Sequence, residues 1–281
     1  DFSQIANKLT DKVDVNLQTS AFTLNGNVIV GSEFKGIEGA IGGAGNDTIV
    51  GTTGANTIVG GAGDDTLFGN GTSDGGGIDY IDGGSGNETN GDFVSFNYIG
   101  ANGVTVDLSN AGEQDINGDK VVDLQIKNIE NLEGSIGADK LTGNASNNIL
   151  KGLDGNDSFI SSGGNDTIYG GNESTDTSTS DVVDYSNGLR IDVDLTKASQ
   201  QVSKVNGKDT LYGIDKIIGS TQNDTFKGDA SNNTFEAGAG NDILEGGAGD
   251  DYLDGGEDDD TLSGGTGDDQ LPVWRQGRAH W

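Results

Sequence analysis

The sequence holds no cysteine, no methionine and a single proline, and its 15 Lys and Arg face 46 Asp and Glu, a formal net charge of −31. The lack of cysteine excludes disulfide staples and thiolate metal sites, and leaves the redox compartment open. The shortage of base, with only three Arg, excludes partners that offer phosphate backbones or anionic lipid, because the net field repels them. What such a field attracts is cations. No apolar run approaches the roughly 18 residues of a membrane-spanning helix, and Asp1–Thr10 lacks the basic start and apolar stretch of a signal peptide. Without methionine, even at position 1, the chain reads as a processed product or a segment of something longer. Leu, Ile, Val and Phe together make less than a quarter of the residues, only just above the level at which so charged a chain stays disordered. Something other than a large apolar core has to hold it together.

What the sequence has in excess is glycine, 50 residues of it, in a fixed rhythm. From Gly219 six nine-residue units run in unbroken phase: GSTQNDTFK, GDASNNTFE, AGAGNDILE, GGAGDDYLD, GGEDDDTLS and GGTGDDQLP. The same frame holds over Gly134–Tyr169 and Gly42–Phe68, with two weaker copies over Asp74–Gly91. A longer period encloses the first, since strand-like openings recur at Asp1, Asp92 and Asp181. This predicts three related modules of about 90 residues, 1–91, 92–180 and 181–272, followed by a tail, 273–281. Each module carries an Asn-Gly pair flanked by apolar residues, at Asn25-Gly26, Asn117-Gly118 and Asn206-Gly207, the sequence signal of a tight hairpin. Segments Gly69–Ser73 and Asn172–Ser180 read as exposed insertions. With no helical period anywhere, the expectation is an all-β solenoid.

Each unit parses as a six-residue turn, Gly-Gly-x-Gly-x-Asp, and a three-residue strand whose middle residue points inward. Those residues are Ile49, Ile58, Leu67, Leu141, Leu150, Phe159, Ile168, Phe226, Phe235, Leu244, Leu253, Leu262 and Leu271. Two units make one coil, so residues 18 apart should stack. Position six then forms ladders of carboxylates: Asp47 and Asp65; Asp139 and Asp157; Asp224, Asp242 and Asp260; Asp251 and Asp269; and Asp166 beside them. At the ~5 Å spacing of strands, neighbouring charges cost about 3 kcal/mol per pair at an effective dielectric of 20. A hard divalent cation answers that cost. Asp side chains and the turn carbonyls of Gly43, Gly45, Gly61, Gly63, Gly247, Gly249, Gly265 and Gly267 offer an irregular oxygen set that suits Ca²⁺ better than Mg²⁺. Asn56, Asn148 and Asn233 at position six supply an oxygen without charge, and weaker sites are expected there.

Units such as GGAGNDTIV at Gly42, GGAGDDTLF at Gly60 and GGAGDDYLD at Gly246 resemble the nonapeptide of the RTX (repeats-in-toxin) family. The resemblance implies a right-handed parallel β-roll that folds on binding several Ca²⁺ ions, in a bacterial protein exported by the type I secretion machinery to the medium or the cell surface. Known members include cytolysins, hydrolases, epimerases and large adhesins, so the chain could serve as a structural or adhesive module with a surface polysaccharide or other cell-surface partner, or as the folding domain of an upstream hydrolase.

Members of that family usually end in a C-terminal export signal, which cannot be located here because the repeats give way after Leu271 to a different tail. That tail holds both Trp, the only His (His280) and two of the three Arg, and reads as a cloning remnant, with a natural cap as the alternative. Asp115-Ile-Asn117-Gly-Asp119-Lys-Val-Val-Asp123 resembles an EF-hand loop, but Lys120 stands where that loop wants Gly and no acid closes position 12, so a hairpin accounts for the segment better, with an extra ion in this loop as the alternative. No Gly-x-Ser-x-Gly, His-Glu-x-x-His or nucleotide loop is present, so no enzyme is predicted. A lyase or epimerase would need a base and cations that His280 and Arg190 do not supply, and the carboxylates already have structural roles. Tyr98, Tyr169, Tyr185 and Tyr212 could face sugars or simply pack.

Overall fold

The structure, a computed structural model, describes residues 12–18, 21–24, 27–28, 37–70, 77–171, 180–196, 200–204 and 207–272. It is built from short strands, with no helix among the described residues. The chain forms two compact units, Asp1–Gly137 and Ala138–Trp281, divided within the second of the three sequence modules.

In the first unit one stack runs in parallel through strands Val13–Asn16, Thr48–Val50, Thr66–Phe68, Phe93–Ser95 and Asn131–Glu133. Its register places Val15, Ile49, Leu67, Val94 and Leu132 in line, all buried. A second stack aligns Ala40, Ile58, Ile81 and Ile126. In the second unit Leu141, Phe159, Val183, Ile217, Phe235 and Leu253 form one column. Another joins Leu150, Ile168 and Leu211, and a third joins Val193, Phe226, Leu244 and Leu262. A fold with one inward residue per rung buries little apolar area per residue, which fits the modest hydrophobic content. The columns hold every expected inward residue but Leu271, and both Leu262 and Leu271 are only half-buried because no described strand stacks beyond them.

The parallel order has one kind of interruption. Strand Gln200–Lys204 pairs antiparallel with both Ile191–Asp194 and Gly207–Tyr212, so it inserts into the stack. Strands Ala21–Leu24 and Asn27–Val28 likewise pair antiparallel, with Leu24 opposite Asn27. That leaves two residues for the connection, as the Asn25-Gly26 signal requires, although residues 25–26 themselves lie outside the described set. Lys204 stands opposite Gly207, which places the connection at 205–206, one residue earlier than the Asn206-Gly207 pair. Also outside the described residues are the tail 273–281 with His280, residues 71–73 of the first insertion and 172–179 of the second; Gly69 and Asn70, which open the first, are buried rather than exposed, Asn70 being held by Tyr98 and Gln18.

The third Asn-Gly pair does not make the expected tight turn. Strands Glu113–Gln114 and Leu124–Lys127 are antiparallel, yet Asn117-Gly118 lies inside the nine-residue connection 115–123. The reason is side-chain competition for the backbone: Asp115 accepts from the N–H of Gly118 and Lys120, Asn117 from Asp119, and Asp119 from Val121. Those bonds replace ladder bonds and hold the loop open.

Candidate metal centre

Position-six side chains face along the stack and are buried, except Asp260 and Asp269 at the ladder ends, which are half-buried. The backbone N–H of each such residue donates to the carboxylate of its counterpart one coil on: Asp47 to Asp65 at 2.7 Å, Asp139 to Asp157 at 2.8 Å, Asn148 to Asp166 at 2.9 Å, and Asn233 to Asp251 at 2.8 Å. Asp224 donates in the same way to Asp242 at 2.6 Å, Asp242 to Asp260 at 3.0 Å, and Asp251 to Asp269 at 3.1 Å. Each of these links spans 18 residues, so the register read from the repeat length is the register of the structure. Position five makes a complementary ladder on the exposed side, where the N–H of Asp250 reaches Asn232 and that of Asp268 reaches Asp250.

The ladders continue through acids that stand off the 18-residue spacing, among them Asp79, the sixth residue of the weak copy that opens at Asp74. Asn56 donates to Asp79 across 23 residues, Asp65 to Asp92 across 27, Asp157 to Asp181 across 24 and Asp166 to Asp209 across 43. Asp92 donates to Glu130 across 38 residues and Asp181 to Asp215 across 34. These six acids were missed because their spacing is irregular. A local signal does mark them: an acid two residues before a large apolar residue, as in Asp92-Phe-Val94, Asp181-Val-Val183, Asp215-Lys-Ile217 and Glu130-Asn-Leu132.

The glycines shape the turn in two ways. Gly61 and Gly63 adopt φ of +125° and +112°, which side chains rarely tolerate, and a Cβ on either would run into the carbonyl group of Gly43 or Gly45 in the neighbouring turn. Gly265 and Gly267 stand over Gly247 and Gly249 in the same manner. The first glycine of the turn serves space instead. A Cβ on Gly60 would run into Asp65 Oδ2 and the Gly83 carbonyl oxygen, and one on Gly246 into Asp251 Oδ2 and the Gly264 carbonyl oxygen. A carboxylate oxygen and a carbonyl oxygen therefore converge at each of these cradles.

The electrostatics of the cradles are unresolved by protein groups alone. Oδ2 of Asp65, Asp92, Asp242 and Asp251 is buried and meets no hydrogen-bond donor, a costly state for a charged oxygen. Burial, with Asp92, Asp47 and Glu88 nearby, raises the Asp65 carboxyl to about 8, despite the N–H bond from Asp47. Burial with Glu130, Glu88 and Asp64 raises Asp92 to about 7, and burial with Asp224, Asp260 and Asp258 does the same for Asp242. Asp224, Asp251 and Asp260 are pushed up too, with burial the largest cause. Orphaned anionic oxygens beside carbonyl oxygens fit a hard cation such as Ca²⁺, which takes six to eight oxygen ligands.

At the Asn56 rung the amide solves the same problem internally. Asn56 Oδ1 accepts from the Thr52 N–H, while Nδ2 donates to the Gly54 and Thr52 carbonyls and to Asp79 Oδ1. The rung at Asp166 is closed by hydroxyls: Ser161 Oγ lies 2.8 Å from both Asp166 Oδ2 and Asp209 Oδ2, and the Tyr185 hydroxyl donates to Asp209 at 2.9 Å. Of the other tyrosines, Tyr98 accepts from the Asn70 N–H, and Tyr169 and Tyr212 stack on each other at 4.8 Å on the exposed face. In the loop 115–123, Asp115, Asp119 and Asp123 each bring a carboxylate oxygen within 4.8 Å of the others.

A family model for the RTX calcium-binding nonapeptide repeat, four copies long, matches residues 41–75, 128–159, 142–174, 206–244 and 236–271, together just over half of the chain. No curated protein sequence matches the chain significantly. The matched segments contain Asp47, Asp65, Asp157, Asp242 and Asp251, the residues whose carboxylates build the ladders, and exclude Asp79, Asp92 and Asp181. Repeat sequence, parallel register and cation-seeking cradles thus converge, and the chain belongs to the family of RTX calcium-binding nonapeptide repeat proteins.

Proposed function

We propose that this chain is a calcium-gated, non-catalytic structural or adhesive segment of a bacterial protein that works outside the cell after type I export. The observation that carries the reading is the set of buried carboxylate oxygens without donors at Asp65, Asp242 and Asp251. In a chain of net charge −31, the like-charged rungs oppose closure when calcium is scarce, as in a bacterial cytosol, and the open chain is suited to threading. Bound Ca²⁺ supplies positive charge and coordination at the cradles, so binding free energy becomes folding free energy. Position-six carboxylates orient toward the cradle, the glycines make room for it, and the apolar columns dock once the turns close.

Far-UV circular dichroism of the full chain tests this directly. Strand signal is expected in millimolar Ca²⁺ and loss of most of it in excess chelator; the same β content in both conditions refutes calcium gating.

A further inference from the structure

The repeat ladder of the first unit does not stop where the nonapeptides stop. After Gly83-Gly84-Ser85-Gly86-Asn87 four extra residues, Glu88–Gly91, precede the acid that would be position six. Asp64 absorbs this insertion, because its Oδ1 accepts from the N–H groups of Thr89, Asn90 and Gly91 at 2.7, 3.1 and 3.2 Å. Asp92 is thereby delivered into the ladder, 1% exposed, with its Oδ2 buried and meeting no donor. The next rung has no six-residue turn at all. Strands Leu124–Lys127 and Asn131–Glu133 are joined by Asn128, Ile129 and Glu130 alone, with Asn128 at φ +51°.

This truncated turn supplies what a full turn supplies elsewhere. A Cβ on Gly83 would run into Asp92 Oδ2 and the Asn128 carbonyl oxygen, just as one on Gly60 would meet Asp65 Oδ2 and the Gly83 carbonyl oxygen. Glu130, one methylene longer than Asp, reaches across the shorter turn, and its Oε2 accepts the Asp92 N–H at 2.9 Å. We infer that Asp92, Glu130 and the Asn128 carbonyl form a further site for a hard divalent cation, closed by a truncated turn rather than by a pair of nonapeptides. Two carboxylates and a carbonyl leave room for water to complete the coordination of Ca²⁺. Asp92 and Gly83 lie outside every segment matched by the repeat family.

The second unit repeats the arrangement with different residues. Gly213, Ile214 and Asp215 form a truncated turn, the Asp181 N–H donates to Asp215 Oδ2 at 2.8 Å, and a Cβ on Gly170 would meet Asp181 Oδ2 and the Gly213 carbonyl oxygen. Recurrence in a second, differently composed rung argues for a built feature. The site rests on the reading of the ladders as calcium ladders, and the test separates the two.

Calcium binding to the full chain is measured by equilibrium dialysis for the wild type and for Glu130→Gln, which keeps an acceptor for the Asp92 N–H and removes one ligand charge. One equivalent of bound calcium should move to about tenfold higher free concentration, with the strand signal in millimolar Ca²⁺ retained. An unchanged isotherm in the folded variant overturns this site while leaving the nonapeptide sites standing. A wild-type chain that binds no calcium overturns the proposed function itself. Should Glu130→Gln not fold, Asp215→Asn asks the same question of the second unit, where loss of one equivalent supports the inference and an unchanged isotherm overturns it.

Discussion

The backbone N–H of Asp65 donates to Asp92 Oδ1 at 2.7 Å, across 27 residues of sequence. The link has the same form as that from Asp47 to Asp65, across 18. Insertions of irregular length are thus accommodated at the turn, while strand and carboxylate keep their places. The ladder is the conserved element of the geometry, and four consequences can be measured.

Calcium-free stability should fall as pH rises. Folding raises Asp65 from 3.8 to about 8 and Asp92 and Asp242 from 3.8 to about 7, so between these limits the folded state binds more protons than the unfolded one. The contribution is fully present below about pH 4 and is lost as pH climbs through 7 to 8. Strand signal in the absence of calcium should therefore be greater at pH 5 than at pH 8, and millimolar Ca²⁺ should abolish the difference. More strand at pH 8 without calcium would contradict the buried-carboxylate account.

Asn56→Asp should raise the calcium concentration needed for folding. The Asn56 Nδ2 donates to Asp79 Oδ1 and to two turn carbonyls, a role a carboxylate cannot fill. The variant would place a second charge beside Asp79 and make that rung dependent on a cation. An unchanged calcium midpoint by circular dichroism would show that Asn56 does not substitute for an ion.

Gly60→Ala should destabilise the calcium-loaded chain by ~1–3 kcal/mol, the usual cost of forcing extra volume into a packed site. Its Cβ would displace Asp65 Oδ2 and the Gly83 carbonyl oxygen from the cradle. Gly112→Ala, where a Cβ approaches only the Asn110 side chain at 3.1 Å, should be far milder. Urea titrations in saturating calcium compare the two.

Tyr185→Phe should cost about 1–3 kcal/mol, by the same amount at every calcium concentration that supports folding, since it removes a donor from the buried Asp209 carboxylate. The rung closed by Ser161 and Tyr185 uses hydroxyls where others need a cation. A loss that changes with calcium concentration across that range would indicate that Tyr185 acts through an ion after all.

The sequence by itself determined the all-β class, the inward column and the 18-residue carboxylate register, because a nine-residue period with one large apolar residue per unit admits few other solutions. It also pointed to cations, since position-six acids stacked at strand spacing in a chain of 46 acids and 15 bases repel one another. Only the tertiary structure decided which acids join the ladders where the period fails. Asp79, Asp92, Asp181, Asp209, Asp215 and Glu130 lie 23 to 43 residues from their partners, and no local spacing encodes a contact that depends on how an insertion is folded away. Tertiary structure likewise decided that Asn117-Gly118 sits inside an open loop. Asp115, Asn117 and Asp119 compete for the backbone N–H groups there, and whether side chain or strand wins such a contest is settled by the strands that flank it.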